Sequence, residues 1–136
     1  MVEHVAITLA KETMDWNEPI PEFQTRYPNV LESCLTTPFQ KVYNQVLYKG
    51  LVAKCAILFY LLVKNHPFQN GNKRMAVTIL LIFLLLNKKW LYLGSTKLYN
   101  LARVVAASKP QEKDATIHSL KIVFRKFIKK IHVATI

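Results

Sequence analysis

The sequence predicts an all-α fold, and three observations lead to this class. Two long runs, Leu51 to Val63 and Met75 to Leu86, are apolar except for Lys54 and Thr78 respectively. Only three of the 136 residues are glycine, and they bracket these two runs. A further segment near the C-terminus repeats apolar residues every three or four positions, which is the period of an amphipathic helix. We therefore expect two buried central helices covered by amphipathic ones.

The limits of the central helices follow from the residues around the apolar runs. Glycine is disfavoured inside helices, so each glycine is expected to mark a turn or a cap. These residues are Gly50, Gly71 and Gly94. They predict a helix from about Gly50 to Asn65, a loop from His66 to Asn72 and a second helix from about Lys73 to Asn87. Neither apolar run reaches the roughly 20 residues that span a bilayer, so we expect core helices and no membrane partner.

Two shorter elements are expected before the first central helix. Tyr27 to Leu35 predicts a short helix, because Pro28 suits its first turn. The segment Thr36 to Tyr48 contains an alternating stretch in which Asn44 can turn a short β-hairpin that would act as an exposed flap. A connecting loop with one helical turn is an equally good interpretation of this segment.

Two amphipathic helices are expected after the central pair. Ser95 or Thr96 would cap a helix that continues to about Ala107, and Pro110 marks the break after it. The last helix is predicted from about Asp114 to Ile131. Its apolar stripe is formed by Ile117, Leu120, Phe124, Phe127, Ile128 and Ile131. Its basic residues lie mostly outside this stripe, and they are Lys121, Arg125, Lys126, Lys129 and Lys130. We interpret the basic face as solvated, although such a face can also bind a phosphate backbone or a membrane surface.

The composition favours one domain with an acidic partner. A chain of 136 residues can bury its apolar surface in a single core, so we expect one domain over residues 1–136. The formal net charge of +11 favours a nucleotide, an acidic protein or a nucleic acid as the partner. Cys34 and Cys55 lie in apolar surroundings and are expected to be buried, reduced thiols. The N-terminus does not show a signal-peptide pattern, and we expect a cytoplasmic protein.

The loop between the central helices combines several requirements of phosphate chemistry. Gly71 permits close backbone approach, Asn72 adds an amide, and the following helix offers N–H groups and a positive dipole end to an anion. Lys73 and Arg74 add two positive charges. His66 lies at the other side of the turn, where an imidazole can take a proton from a hydroxyl near neutral pH. We therefore take His66 as the candidate general base, with a helix cap or a solvated residue as the structural alternative.

The same loop resembles the signature of the Fic/Doc family. That signature places His, Phe, an acidic residue, Gly or Ala, Asn, Gly or Lys, and Arg at set positions. The loop reads His66-Pro67-Phe68-Gln69-Asn70-Gly71-Asn72-Lys73-Arg74. Lys73 is typical of the Doc (death-on-curing) branch, whereas typical Fic enzymes have glycine there. Leu31-Glu32-Ser33 and the flap-like segment Phe39 to Leu47 also look like Doc sequences, and the resemblance covers roughly residues 27–107.

The resemblance implies a compact Fic/Doc-type helical bundle that uses ATP or another nucleoside triphosphate to modify a hydroxyl side chain of a target protein. It implies His66 as the base. The nucleotide- and phosphate-binding residues that it implies are Asn70, Gly71, Asn72, Lys73 and Arg74. We expect Phe68 to be a structural anchor that holds the loop in the core. Doc proteins are toxins of toxin–antitoxin pairs that phosphorylate a translation elongation factor, whereas typical Fic enzymes transfer AMP.

Two positions depart from the family pattern. Asn70 stands where the family has an acidic magnesium ligand, and its neutral carbonyl oxygen is a weaker ligand, so we expect weak Mg²⁺ binding. Val77 stands where the longer Fic signature has a second arginine, which favours transfer of the terminal phosphate over transfer of AMP. Thr13 and Glu18 have the wrong spacing for the family's inhibitory helix, so we expect an acidic antitoxin protein to restrain the activity.

The leading hypothesis is a Doc-like toxin that phosphorylates a hydroxyl side chain of a translation elongation factor. AMP transfer by the same site is one alternative. A catalytically weakened protein that binds a nucleotide or a partner is another, and Asn70 favours it. The last hypothesis is a nucleic-acid binder, but no recognised binding motif accompanies the basic helix, so nucleic acid is not the partner we expect.

Overall fold

The structure is a computed structural model that describes residues 27–131. Helices form most of this range: α1 (Pro28–Thr36), α2 (Gly50–Lys64), α3 (Asn72–Leu86), α4 (Ser95–Ala107) and α5 (Lys113–Phe127). Four short strands form two separate antiparallel pairs: β1 (Lys41–Val42) with β2 (Gln45–Val46), and β3 (Lys89–Leu91) with β4 (Ile128–Lys130). The predicted all-α class with a small hairpin is confirmed.

Helix α2 lies at the centre of the core. It packs against each of the other four helices of the described range. Its residues Cys55 to Tyr60 are all buried, so apolar side chains project from every side of the helix. A helix of this kind is stable only when other elements cover it on all sides. On one side, the Phe59 ring meets the Phe124 ring of α5 edge-on, with 5.8 Å between ring centroids. On another side lies α3, which is buried continuously from Arg74 to Leu80.

The segment before α2 contains both of the structures that its sequence allows. A 3₁₀ turn at Thr37–Phe39 is followed by the hairpin of β1 and β2. The two residues between the strands, Tyr43 and Asn44, have φ of 51° and 64°. Two successive left-handed residues form the turn whose twist matches that of the flanking strands, which explains why so short a hairpin closes.

Two expected helix ends are wrong. Gly94 caps α4 and Ser95 is already its first helical residue, so neither Ser95 nor Thr96 is the cap. Helix α5 ends at Phe127 and not at Ile131, because the chain turns extended and pairs with β3. Leu91 stands opposite Ile128 in this pair, so Ile128 can still join the apolar core from a strand. Among residues 27–131, no helix is long and apolar enough to cross a membrane.

Both cysteines are buried free thiols, as the sequence predicts. Burial raises the pKa of Cys55 to about 12 and that of Cys34 to about 11, where a hydrogen bond with the Asn65 side chain opposes the shift. Because the thiolate is the nucleophile, we expect neither thiol to react with a disulfide reagent in the native protein at pH 8, and both to react in denaturant. Absorbance of the released thiol measures this. Rapid labelling of the native protein would contradict the burial.

Candidate functional site

The loop between α2 and α3 is held by backbone hydrogen bonds at both of its ends. The N–H of Asn65 donates to the carbonyl oxygen of Leu61 and so closes α2. The N–H of Tyr27, at the start of α1, donates to the carbonyl oxygen of Pro67. The N–H of Met75 donates to the carbonyl oxygen of Gly71 and opens α3. The loop is therefore fixed to three helices.

A pair of hydrogen bonds between Phe68 and Asn72 braces the middle of the loop. The N–H of Phe68 donates to Oδ1 of Asn72, and Nδ2 of Asn72 donates to the carbonyl oxygen of Phe68, both at 2.9 Å. The Phe68 side chain is 1% exposed and belongs to the core, as the sequence predicts. The Asn72 side chain thus mimics a backbone partner for Phe68, and its structural role is to hold the turn in shape.

Helix α3 begins directly after this turn. Gly71 precedes it with φ of 69°, in the left-handed region that favours glycine. No side-chain hydrogen bond caps α3 in the described part of the chain. The N–H groups of the first turn of a helix have no acceptor within the helix, and they lie at its positive end. This is the arrangement that proteins use to bind phosphate.

His66 lies at the opposite edge of the loop with its side chain exposed. Its backbone has φ of 49°, in the left-handed region where few residues other than glycine are found. Such a conformation costs free energy and persists only when the surrounding structure imposes it, which is common at functional sites. His66 stands between the end of α2 and Pro67, whose carbonyl oxygen accepts the Tyr27 N–H, and its side chain is exposed.

The two cations of the loop occupy different environments. Arg74 is 3% exposed and lies within the buried stretch of α3. Lys73 is half-buried and lines a groove of about 660 Å³ together with Asn100 and Arg103 of α4. The groove is shallow and open to solvent, and it brings the cations Lys73 and Arg103 to one place. The sequence pattern does not single out Asn100 or Arg103, because only the packing of α4 on α3 brings them to Lys73.

The loop offers little to a metal ion. Asn70 is exposed, and its side chain can supply one neutral carbonyl oxygen. The acidic residues within 27–131 are Glu32, Glu112 and Asp114, and none of them is on the loop. No group of three or more His, Cys, Asp or Glu side chains in this range could hold a metal. The donor set therefore fits a divalent cation poorly, unless phosphate oxygens of a bound nucleotide supply the remaining ligands.

The loop lies within a stretch of the chain that matches a known protein family. A model of the Fic/DOC family matches residues 3–84, which is more than half of the chain. The chain belongs to the Fic/DOC family. The Fic/DOC match includes the whole loop and all but the last two residues of α3, and it ends before β3, α4 and α5. No curated protein and no solved structure matches the chain. Membership of the Fic/DOC family implies the fold of a nucleotide-transferring enzyme. Proteins of this family generally use nucleoside triphosphates.

Proposed function

We propose that this protein is a Doc-like toxin that transfers the terminal phosphoryl group of ATP, or of another nucleoside triphosphate, to a hydroxyl side chain of a target protein. The observation that carries the proposal is the braced loop, which holds an exposed imidazole and an open helix N-terminus at the two sides of one turn. One side can bind phosphate and the other can accept a proton. A translation elongation factor is the proposed target.

The proposed reaction is an in-line displacement at the γ-phosphorus. The target hydroxyl oxygen forms a bond to that phosphorus while the bond from phosphorus to the β–γ bridging oxygen breaks, and the nucleoside diphosphate leaves with that oxygen. His66 accepts the proton of the hydroxyl. The N–H groups at the start of α3 and the Lys73 ammonium stabilise the negative charge on the phosphates, and the buried Arg74 guanidinium adds positive charge to the site from within α3. Asn72 would act mainly by keeping this geometry, since its side chain is bonded to Phe68.

Transfer of phosphate is favoured over transfer of AMP by two positions. Lys73 replaces the glycine of AMP-transferring relatives. Val77 replaces their second arginine, and it is fully buried in α3. The test incubates the protein and a bacterial extract with ATP labelled on either the α- or the γ-phosphate. We expect only the γ-label on a target protein, whereas α-label on a target protein would show that AMP is transferred instead.

A nucleotide-binding protein without turnover is the second candidate function, because Asn70 supplies no negative charge to Mg²⁺. Under the proposed function, Mg²⁺ is held mainly by the phosphates of the nucleotide. Asn70→Asp is then expected to tighten Mg²⁺ binding and to raise the transfer rate at low Mg²⁺, since a carboxylate is the preferred ligand. A magnesium titration of both proteins measures this. Asn70→Gln is the matched control, and equal titrations for all three proteins would contradict a metal site at this position.

The groove beside Lys73 gives a separate prediction for nucleotide binding. We expect Arg103→Ala to weaken ATP binding by about two- to fivefold, because an exposed guanidinium contributes modestly to holding an anion. Isothermal titration calorimetry with ATP measures the dissociation constant. Lys41→Ala, which removes the same charge from an exposed position on β1, is the control. An equal loss in both variants would show that only the net charge matters.

The proposed function also includes a cellular location and a partner that restrains the activity. We propose that the protein acts in the cytoplasm and that an acidic antitoxin protein restrains it. The formal net charge of +11 supports an acidic partner of this kind. If the toxin role is correct, expression of this protein in bacteria should arrest growth, and His66→Ala should relieve the arrest.

A further inference from the structure

The pairing of β3 with β4 gathers basic residues that are far apart in the sequence. Lys89 stands directly opposite Lys130, and the N–H of Ile131 donates to the carbonyl oxygen of Lys88. The end of α5 leads straight into β4 and adds two more cations. The six basic residues that result are Lys88, Lys89, Arg125, Lys126, Lys129 and Lys130, and all but the half-buried Lys89 are exposed. We call these six residues the β3–β4 basic surface.

Acidic side chains of the described range do not balance this surface. Glu112 and Asp114 lie at the other end of α5, with Asp114 about three helical turns before Arg125. Glu32 lies on α1, which packs against α2 and the following 3₁₀ turn. Like charges directly opposite each other destabilise a strand pair. A polyanion bound beside this pair would offset the repulsion between Lys89 and Lys130 and so stabilise it.

Two aromatic side chains, Trp90 and Tyr92, lie in and just after β3. Trp90 stands opposite Lys129. Because side chains alternate between the two faces of a strand pair, Trp90 and Lys129 project from the face opposite to that of Lys89 and Lys130. Trp90 is half-buried, and Tyr92, two residues further along, is 51% exposed. An acidic peptide offers carboxylates to lysines, but it offers a ring that stacks only where its sequence includes one. Single-stranded nucleic acid offers both phosphates and flat bases, and proteins that bind it combine basic surfaces with aromatic rings.

We propose that the β3–β4 basic surface, with Trp90 and Tyr92, is a binding site for single-stranded nucleic acid. This departs from the expectation drawn from the sequence, where Lys88 to Tyr92 and the basic C-terminal segment are separate. The surface is distinct from the nucleotide loop, because the loop lies at the start of α3 and β3 follows its end. Helix α3 has 15 residues and is about 22 Å long. The surface also lies outside the residues that the family model matches.

The test follows Trp90 fluorescence during titration with a single-stranded oligonucleotide, either oligo(dT) or oligo(U). The chain has two tryptophans, so Trp16→Phe makes Trp90 the only one. We expect oligonucleotide to quench Trp90, and the logarithm of the affinity to fall linearly with the logarithm of the salt concentration. Lys129→Glu with Lys130→Glu should weaken binding by about tenfold or more and lower the salt slope by about 1.4. Tyr92→Leu should weaken binding while leaving the salt slope unchanged.

The control replaces two lysines outside the proposed site, so that the net charge of the protein changes by the same amount. Lys97 and Lys109 are exposed on and after α4, and their double replacement by glutamate should leave the affinity within about twofold. Far-ultraviolet circular dichroism verifies that each variant is folded. Three results would overturn the proposal: no binding at low salt, an equal loss in the control, or equally tight binding of polyglutamate without a change in Trp90 fluorescence. The last result would assign the surface to an acidic protein.

Discussion

Replacement of His66 by alanine is expected to lower the rate of phosphoryl transfer by about 10²-fold or more, with little change in ATP affinity. His66 is exposed before the turn, whereas the groups proposed to bind phosphate are the N–H groups at the start of α3. Removing the imidazole therefore takes away the proton acceptor and leaves the N–H groups of α3 in place. Transfer of γ-label to the target protein under single-turnover conditions measures the rate, and calorimetry measures the affinity.

Two further variants make this result specific. His66→Asn keeps a residue that accepts the left-handed backbone, so it separates loss of the base from loss of the φ of 49°. It should be as inactive as His66→Ala. His118 is an exposed histidine on α5, and His118→Ala should transfer at the rate of the unmodified protein. If His66→Asn kept full activity, His66 would not be the base.

Replacement of Phe68 by alanine is expected to lower the free energy of unfolding by about 3–5 kcal/mol. The side chain is 1% exposed and lies in the core, so its removal leaves a cavity between the loop and the helices. The same change loosens the backbone that Asn72 holds through two hydrogen bonds. We therefore expect transfer activity to fall at temperatures where the protein is still folded. Urea unfolding followed by circular dichroism measures the stability.

Phe39→Ala provides the comparison, because Phe39 is half exposed and contacts Phe83 with ring centroids 6.0 Å apart. It should destabilise the protein much less than Phe68→Ala. Phe68→Leu, which keeps most of the buried volume, should restore a large part of the stability. Equal losses for Phe68→Ala and Phe39→Ala would contradict the anchoring role.

The elements that the sequence predicts best are those whose signal is local. Helices α2 and α3 consist of residues that are apolar in every direction, and such runs have to be buried wherever the rest of the chain lies. Their first turns are marked by Gly50 and Gly71, which take positive φ. The burial of Phe68, Cys34 and Cys55 follows from the same argument and is confirmed. The catalytic role of His66 and the phosphate contacts of Asn70, Gly71, Asn72, Lys73 and Arg74 remain predictions.

The sequence by itself determined the fold class, the central helix pair and the family to which the loop belongs, because periodicity and motif spacing are properties of neighbouring residues. Only the tertiary structure decided the features that join distant segments. The end of α5 became β4 because β3 supplied backbone hydrogen-bond partners nearly 40 residues earlier. Arg103 reached the side of Lys73 because α4 packs on α3. Contacts of this kind leave no periodic pattern in the sequence, since each depends on how two separately formed elements pack together.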